Sequence, residues 1–385
     1  MRDYFEPKHV EEWLAGGFTR RDFGRMAALW IAGACLPFYN ESTLAQDLKS
    51  ISSIPPDAVR LNANENPMGP CLAALEAIQK VVPQGGRYLF HLTQTFTETL
   101  AAVEGLPATH ILPAAGSSDP LHRCVLAFTS PSRALVTADP GYEAPEHAAR
   151  FVGSKVVRVP LRKDYAHDTR AMARADANAG LIYVCNPNNP TGTVTCKEDL
   201  AFLVAQKPAG CVVLIDEAYL HFARTATPAT EWVAANKDVI VLRTFSKLYG
   251  MAGLRAGAAL GRPSLLDKVR GFSGLPILPS TAMAGATASL KDPSLVPERR
   301  KIMADIREDL FAWMDKRGYA YIPSDANMVL IDSKRPGREM AAALLQYKVA
   351  VGRTWAALPH HVRVTIGTRD EMEKFKAAFE RVMNS

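Results

Sequence analysis

The sequence has 385 residues and only six cysteines, no two of them in a Cys-x-x-Cys pair. That scarcity excludes a disulfide-stapled scaffold and a cysteine-rich zinc site. No block of five or more basic residues occurs, and the net charge is a mild +6, from 45 Lys+Arg against 39 Asp+Glu. The charge pattern therefore lends no support to nucleic-acid binding. Long apolar runs are missing too. The longest charge-free apolar run near the start covers residues 26–38. As a helix it would span roughly 20 Å, short of the roughly 30 Å hydrocarbon core of a bilayer, so it is not a membrane span. Internal repeats and low-complexity tracts are absent. With 48% hydrophobic and 22% charged residues, and 26 Pro and 25 Gly spread along the chain, the composition is that of a globular protein. The length exceeds what one hydrophobic core usually serves, which points to two packed domains.

What is present begins with an address. Thr19-Arg20-Arg21-Asp22-Phe23-Gly24-Arg25 resembles the twin-arginine export motif, and the apolar run that follows has the length of a signal-peptide core. Thr43-Leu44-Ala45 offers a small-residue cleavage site before Gln46. Residues 1–45 therefore read as a signal peptide and the protein as exported or periplasmic. The alternative is an N-terminal helix with a chance Arg-Arg pair on a cytoplasmic protein. The twin-arginine route carries folded proteins, often with a cofactor bound.

After a linker at 49–56, short apolar runs alternate with longer amphipathic ones. Strands are expected at 134–136, 181–185, 212–215, 239–242 and 256–260, each bounded by Gly, Pro, Asp or Asn on at least one side. Helices such as Lys197–Gln206 lie between them. The pattern predicts an α/β fold with a mostly parallel sheet. Towards the C-terminus, 328–331, 349–351 and 362–366 read as strands of a smaller sheet. Thr368 with Glu371 three residues on forms a capping box for a final helix whose apolar face is Met372, Phe375, Phe379 and Val382. The expected organisation is 46–85 as an N-terminal arm and part of the small domain, 86–275 as a large domain, and 276–385 as a small C-terminal domain.

Four segments have residues suited to chemistry, each at a strand end or a helix start, where parallel sheets gather their sites. Thr244-Phe245-Ser246-Lys247, with Arg255 further on, places a lysine directly after a buried strand. A desolvated lysine can form a Schiff base with an aldehyde, and Thr, Ser and Arg are the types that hold a phosphate beside it. Asp216, ending 212–215, is a carboxylate in need of a partner if buried; a protonated pyridine nitrogen is one, the cap of a following helix another. Asn186-Pro187-Asn188-Asn189-Pro190-Thr191-Gly192 forces an irregular loop in which Asn189 could present its amide, though a plain turn would look the same. Gly116-Ser117-Ser118-Asp119 opens an apolar helix, a ready anion site or an ordinary helix start.

Taken together, Asn189-Pro190-Thr191-Gly192, Asp216-x-Ala218-Tyr219 and Ser246-Lys247 with Arg255 resemble the fold-type I, class I/II pyridoxal-phosphate aminotransferases in order and spacing, from Leu61 to the C-terminus. The 61–67 segment (Leu61-Asn62-Ala63-Asn64-Glu65-Asn66-Pro67), Arg87-Tyr88 and the 363–367 segment look most like the histidinol-phosphate aminotransferase branch. The resemblance implies a large α/β domain with a smaller one, pyridoxal 5'-phosphate as cofactor, and no metal. Lys247 would bond the cofactor aldehyde and then move the proton. Asp216 would hold the pyridine nitrogen protonated. Tyr219 and Asn189 would hydrogen-bond the phenolic oxygen, and Tyr142 would stack on the ring. Ser117, Ser118, Thr244, Ser246 and Arg255 would bind the phosphate. Tyr88 would reach the phosphate of a neighbouring subunit, implying a homodimer with shared sites. Arg363, assisted by Arg353 and Asn64, would hold a small anionic substrate, and a 2-oxo acid would accept the amino group. Two departures stand out: Ser117-Ser118-Asp119-Pro120, where the branch carries an acidic pair and an aliphatic residue, and Met68 in place of a common Tyr. Transamination of an amino acid or a histidinol phosphate-like amine is the leading expectation. Another pyridoxal-phosphate reaction (decarboxylase, lyase or amino-acid oxidase) is the alternative. A non-catalytic sensor on the same fold would need a DNA-binding segment, which the N-terminus does not offer.

Overall fold

Strands that read as unbroken apolar runs, rather than as alternating ones, are strands covered on both faces. The computed structural model, which describes residues 11, 14–19, 21–22, 54–272 and 278–385, has such a sheet at its centre. In chain order the strands are β1 Val59–Leu61, β2 Ile111–Ala114, β3 Ala134–Asp139, β4 Val156–Pro160, β5 Ala179–Cys185, β6 Val212–Asp216, β7 Val239–Thr244, β8 Gly257–Gly261, β9 Tyr321–Ile322, β10 Met328–Asp332, β11 Val349–Val351 and β12 His361–Thr365. The central sheet has the order β2-β8-β7-β6-β5-β3-β4. Its members are parallel except β8, which runs antiparallel to both of its neighbours. Every residue of β5, β6, β7 and β8 is buried.

The period of two along a strand splits this burial into two cores. Leu181, Tyr183, Leu214 and Leu242 face one side, with the helices Ser118–Phe128 and Ala144–Phe151. Ile182, Val184, Val213, Ile215 and Val241 face the other, with the helices Phe90–Glu104 and Ser280–Leu290. The five expected strands of the large sheet are all present. The two not anticipated, β2 and β4, are its edges. Pro113 in β2, and Arg158 with Pro160 in β4, obscure the strand pattern because an edge strand tolerates proline and charge.

In the C-terminal part β12, β10 and β9 form a three-stranded antiparallel sheet, while β11 leaves it and pairs in parallel with β1. The expectation that 349–351 joins the smaller sheet is corrected here. Its partner lies 290 residues earlier, at Val59↔Val349, and no local signal announces such a pairing. The capping box at Thr368 and Glu371 is present, and Met372, Phe375, Phe379 and Val382 are buried as expected. The helix Ser280–Leu290 packs on the helices Leu72–Val81 and Phe90–Glu104. It thus packs on helices that precede the expected 276–385 segment in the chain. Its Ala282, Met283 and Ala286 are small or flexible enough for that close packing.

Arg20, the apolar run 26–38 and the cleavage site at Ala45 lie outside the described residues. Thr19 and Asp22, inside them, bond reciprocally, the Thr19 hydroxyl donating to Asp22 Oδ2 at 2.6 Å and the Asp22 N–H to Thr19 Oγ1 at 3.2 Å. Among the described residues no helix is long and apolar enough to cross a membrane.

Candidate active site

The carboxyl ends of β5, β6 and β7 open onto one cleft of about 270 Å³. At the end of β6 the pleat turns Asp216 towards it and Glu217 away. Asp216 is buried, accepting the Tyr183 hydroxyl at 2.9 Å and the Ala218 N–H at 3.1 Å. Burial pushes its carboxyl up to about 6, against the opposing pull of those two bonds and of Lys247. Glu217 instead accepts the Ala229 N–H at 2.7 Å and pairs with Arg243, whose Nε also binds Glu104 at 2.6 Å. Neighbouring carboxylates are thereby sorted, one to the cleft and one to a buried ion-pair cluster.

Lys247 follows β7, is 7% exposed, and donates from Nζ to the Ala63 carbonyl at 3.2 Å. Its Nζ lies 5.7 Å from the centre of the Tyr219 ring. The Tyr219 hydroxyl accepts the side-chain amides of Asn64 at 3.0 Å and Asn189 at 3.4 Å. Tyr142 also lines the cleft.

A second cluster lies at the start of the helix Ser118–Phe128. Thr244 donates to Ser246 Oγ at 3.0 Å, and Arg255 Nη1 reaches the same oxygen at 3.2 Å. The remaining Arg255 bonds go to the carbonyls of Ala252 at 2.8 Å and Ala115 at 3.3 Å. All three acceptors are neutral, and burial holds the guanidinium below its usual value. A desolvated cation bonded only to neutral oxygens, beside a helix N-terminus, is suited to an anion. The approach depends on Gly116, at φ +83°, because a Cβ there would fall inside the Arg255 guanidinium. Ser117, Ser118, Thr244, Ser246 and Arg255 all line the cleft.

The substrate residues are placed less uniformly. Arg363, on β12, is fully buried and donates to Asn189 Oδ1 and to the Asn62 carbonyl, each at 2.8 Å. Arg353 pairs with Glu143 at 2.9 Å. Asn64, expected at the substrate, is fully buried behind Tyr219 at φ 52°, and its Oδ1 accepts the Thr365 hydroxyl at 3.1 Å. It touches the site through the Tyr219 hydroxyl, and the left-handed backbone that aims it there is strained for a non-glycine residue. Tyr88 is 68% exposed just ahead of the helix Phe90–Glu104 and is not among the residues lining this cleft. Sequence reasoning missed Tyr183, Glu143 and Trp355. Tyr183 sits in an expected strand, but only the register Cys185↔Asp216 between β5 and β6 shows that it reaches the carboxylate.

Residues 56–379 match the family described as aminotransferase class I and II. The chain is 35% identical over 329 residues to the histidinol-phosphate aminotransferase of Symbiobacterium thermophilum, which covers 85% of this chain and 91% of that one. It is 30% identical over 321 residues to the aromatic amino acid aminotransferase of Cutibacterium acnes, with 83% and 90% covered. Among solved structures, the histidinol-phosphate aminotransferase of Sinorhizobium meliloti in complex with pyridoxal-5'-phosphate superimposes with a TM-score of 0.81 at 26% identity, covering 91% of this chain and 96% of that one. The cleft fits that cofactor: a buried carboxylate suits a protonated ring nitrogen, and the Arg255 cluster suits its phosphate.

The Asp216 carboxyl titrates at the ordinary 3.8 when unfolded and at about 6 when folded, so the stability it contributes is complete below about pH 4 and lost as pH rises through 6. In the cofactor-free protein, Asp216→Asn should therefore raise the thermal midpoint at pH 8, by an effect on the order of 3 kcal/mol, and the gain should shrink towards pH 5. Thermal scans at both pH values check this; an equal shift at both would exclude the buried charge as its source.

Proposed function

The chain belongs to the class I and II aminotransferase family and is a pyridoxal phosphate-dependent transaminase, and we propose that Lys247 is its cofactor-anchoring and proton-transferring residue. The observation that carries this reading is the meeting of Lys247, Asp216 and Tyr219 in one cleft with the Arg255 cluster. Pyridoxal phosphate, when bound, supplies an aldehyde for the amino group and a ring that draws electrons from the donor's Cα. Lys247 Nζ takes the proton from that Cα as general base and returns it as general acid. Asp216 holds a proton at the ring nitrogen. The burial that disfavours its charge also strengthens its attraction to a cation, so carboxylate and ring nitrogen stabilise each other. Asn64 and Asn189 fix the Tyr219 hydroxyl towards the ring's phenolic oxygen, and Tyr142 packs on the ring. Ser117, Ser118, Thr244, Ser246 and Arg255 hold the phosphate.

Arg363 anchors the anionic group of the amino donor, with Arg353 beside it. The donor is a small amino acid or a histidinol phosphate-like amine, and the acceptor is a 2-oxo acid. The names of the relatives and the bond from Arg363 to Asn189, which lines the cleft, support that substrate class. Tyr88, exposed on this chain, completes the phosphate site of a second copy in a homodimer. Residues 1–45 serve as a twin-arginine export signal, on the evidence of the Arg20-Arg21 pair and the apolar run that follows it.

Lys247→Ala should lower turnover by roughly a thousandfold. Borohydride reduction followed by peptide mass spectrometry should place the retained cofactor on Lys247 in the wild type; retention on another residue would overturn the assignment. Sedimentation should give twice the chain mass, and Tyr88→Phe should weaken cofactor retention on dialysis while leaving that mass unchanged. If Arg20→Lys/Arg21→Lys leaves the distribution between cytoplasm and periplasm as it was, the export reading is wrong.

A further inference from the structure

Tyr183 stands in the interior of β5, between Ile182 and Val184, and is 2% exposed. A phenylalanine would fill the same space in the core. What distinguishes this residue is its hydroxyl, a polar group that burial penalises unless it is bonded. Among the described residues that hydroxyl has one hydrogen-bond partner, Asp216 Oδ2 at 2.9 Å. The register Cys185↔Asp216 places Tyr183 two residues back from the cleft end of β5, on the face of the sheet that Asp216 shares. Asp216 lines the cleft and Tyr183 does not. The other carboxylate oxygen, Oδ1, accepts the Ala218 N–H at 3.1 Å, so each oxygen has a donor.

We propose that Tyr183 is a positioning residue, which from behind the cleft holds Asp216 as an oriented carboxylate and so keeps the shared proton on the cofactor's ring nitrogen. The proposal rests on the reading of Asp216 as the partner of that nitrogen. A proton between two bases goes to the one of higher affinity, and a hydrogen bond to the charged form of a carboxylate lowers its affinity. Burial raises the affinity of Asp216. The Tyr183 hydroxyl opposes that most, followed by the Ala218 N–H and the Lys247 charge. Without the hydroxyl, Asp216 becomes the stronger base and takes the proton, and a neutral ring draws electrons less. Tyr183 itself stays a donor, because burial and the adjacent Asp216 charge push its phenol well above the usual value. The other titratable groups around the pair are Cys185 and Tyr142 beside Tyr183, with Lys247 and Tyr219 at the cleft.

The coupling is read first in the cofactor-free protein, by thermal scans against pH on the wild type, Tyr183→Phe, Asp216→Asn and the double variant. The Asp216 carboxyl is raised from 3.8 to about 6 by folding, so the gain from Asp216→Asn grows above about pH 4 and levels off near pH 6. In the Tyr183→Phe background it should level off roughly one to two pH units higher. Cys185, Tyr142, Lys247 and Tyr219 are unchanged in all four proteins and cancel from the comparison. A levelling point that stays where it is overturns the proposal. Should Tyr183→Phe not fold at neutral pH, the double variant should fold, since no charge then needs the hydroxyl; failure of both gives Tyr183 a merely structural role. Solid-state nitrogen-15 NMR of the holoenzyme, with the cofactor's ring nitrogen labelled, reads the proton directly. Tyr183→Phe should move the partition of that proton about tenfold or more towards Asp216. If Asp216→Asn leaves the ring signal unchanged, the ring-partner reading falls and the proposal with it. If Asp216→Asn shifts the signal and Tyr183→Phe does not, only the role of Tyr183 falls.

Discussion

A carboxylate placed at the end of a strand that is buried on both faces cannot stay charged there without help. Asp216 occupies that position on β6, and its carboxyl is pushed up to about 6 by burial although Tyr183 and Ala218 donate to it. The sheet around it is arranged so that this carboxylate faces the cleft. β5 brings Tyr183 across the register, β7 brings Thr244 and delivers Lys247, and the alternation of the pleat sends Glu217 to the opposite side. There Glu217 meets Arg243 and Glu104, a buried cluster that ties the helix Phe90–Glu104 to the same strand ends. A cation placed at Asp216 would offset the cost of its burial.

The second dependence is a chain of side chains across the two units. Arg363 of the small sheet holds Asn189 of the irregular loop; Asn189 and Asn64 hold the Tyr219 hydroxyl; Asn64 is bonded in turn to Thr365, two residues beyond Arg363. The loop is also held from outside, for the Asp325 N–H donates to the Gly192 carbonyl at 2.8 Å, and a Cβ at Gly192 would strike Ser324. The small sheet is therefore linked through side chains to the Tyr219 hydroxyl. Glu143 and Arg353 form a further ion pair between the segment after Tyr142 and the one after β11.

Much of this was readable in advance because the chemistry is local in sequence. Lys247 follows an apolar strand with hydroxyls on either side, Asp216 ends another, and the Asn-Pro loop ends a third. The five central strands were visible as apolar runs for the reason that they are buried on both faces. The edges β2 and β4 were not, since proline and arginine are tolerated where one side of the ladder is open. The pairing of β1 with β11 was hidden by distance along the chain, and three residues carry no signal of a partner so far away. The packing of the helix Ser280–Leu290 among helices far upstream follows from its small residues and not from its place in the sequence.

By itself the sequence determined which groups are available: the lysine, the aspartate, the anion-binding hydroxyls and arginines, and a parallel sheet whose strand ends bring them together. Those follow from residue type and from periodicities of a few positions, which are properties of the chain. Tertiary structure decided who faces whom. It put Tyr183 on Asp216 through a strand register, set the Asn64 amide against the Tyr219 hydroxyl, and paired Glu143 with Arg353. Such pairings depend on registers and packing between segments hundreds of residues apart, and no local pattern encodes them.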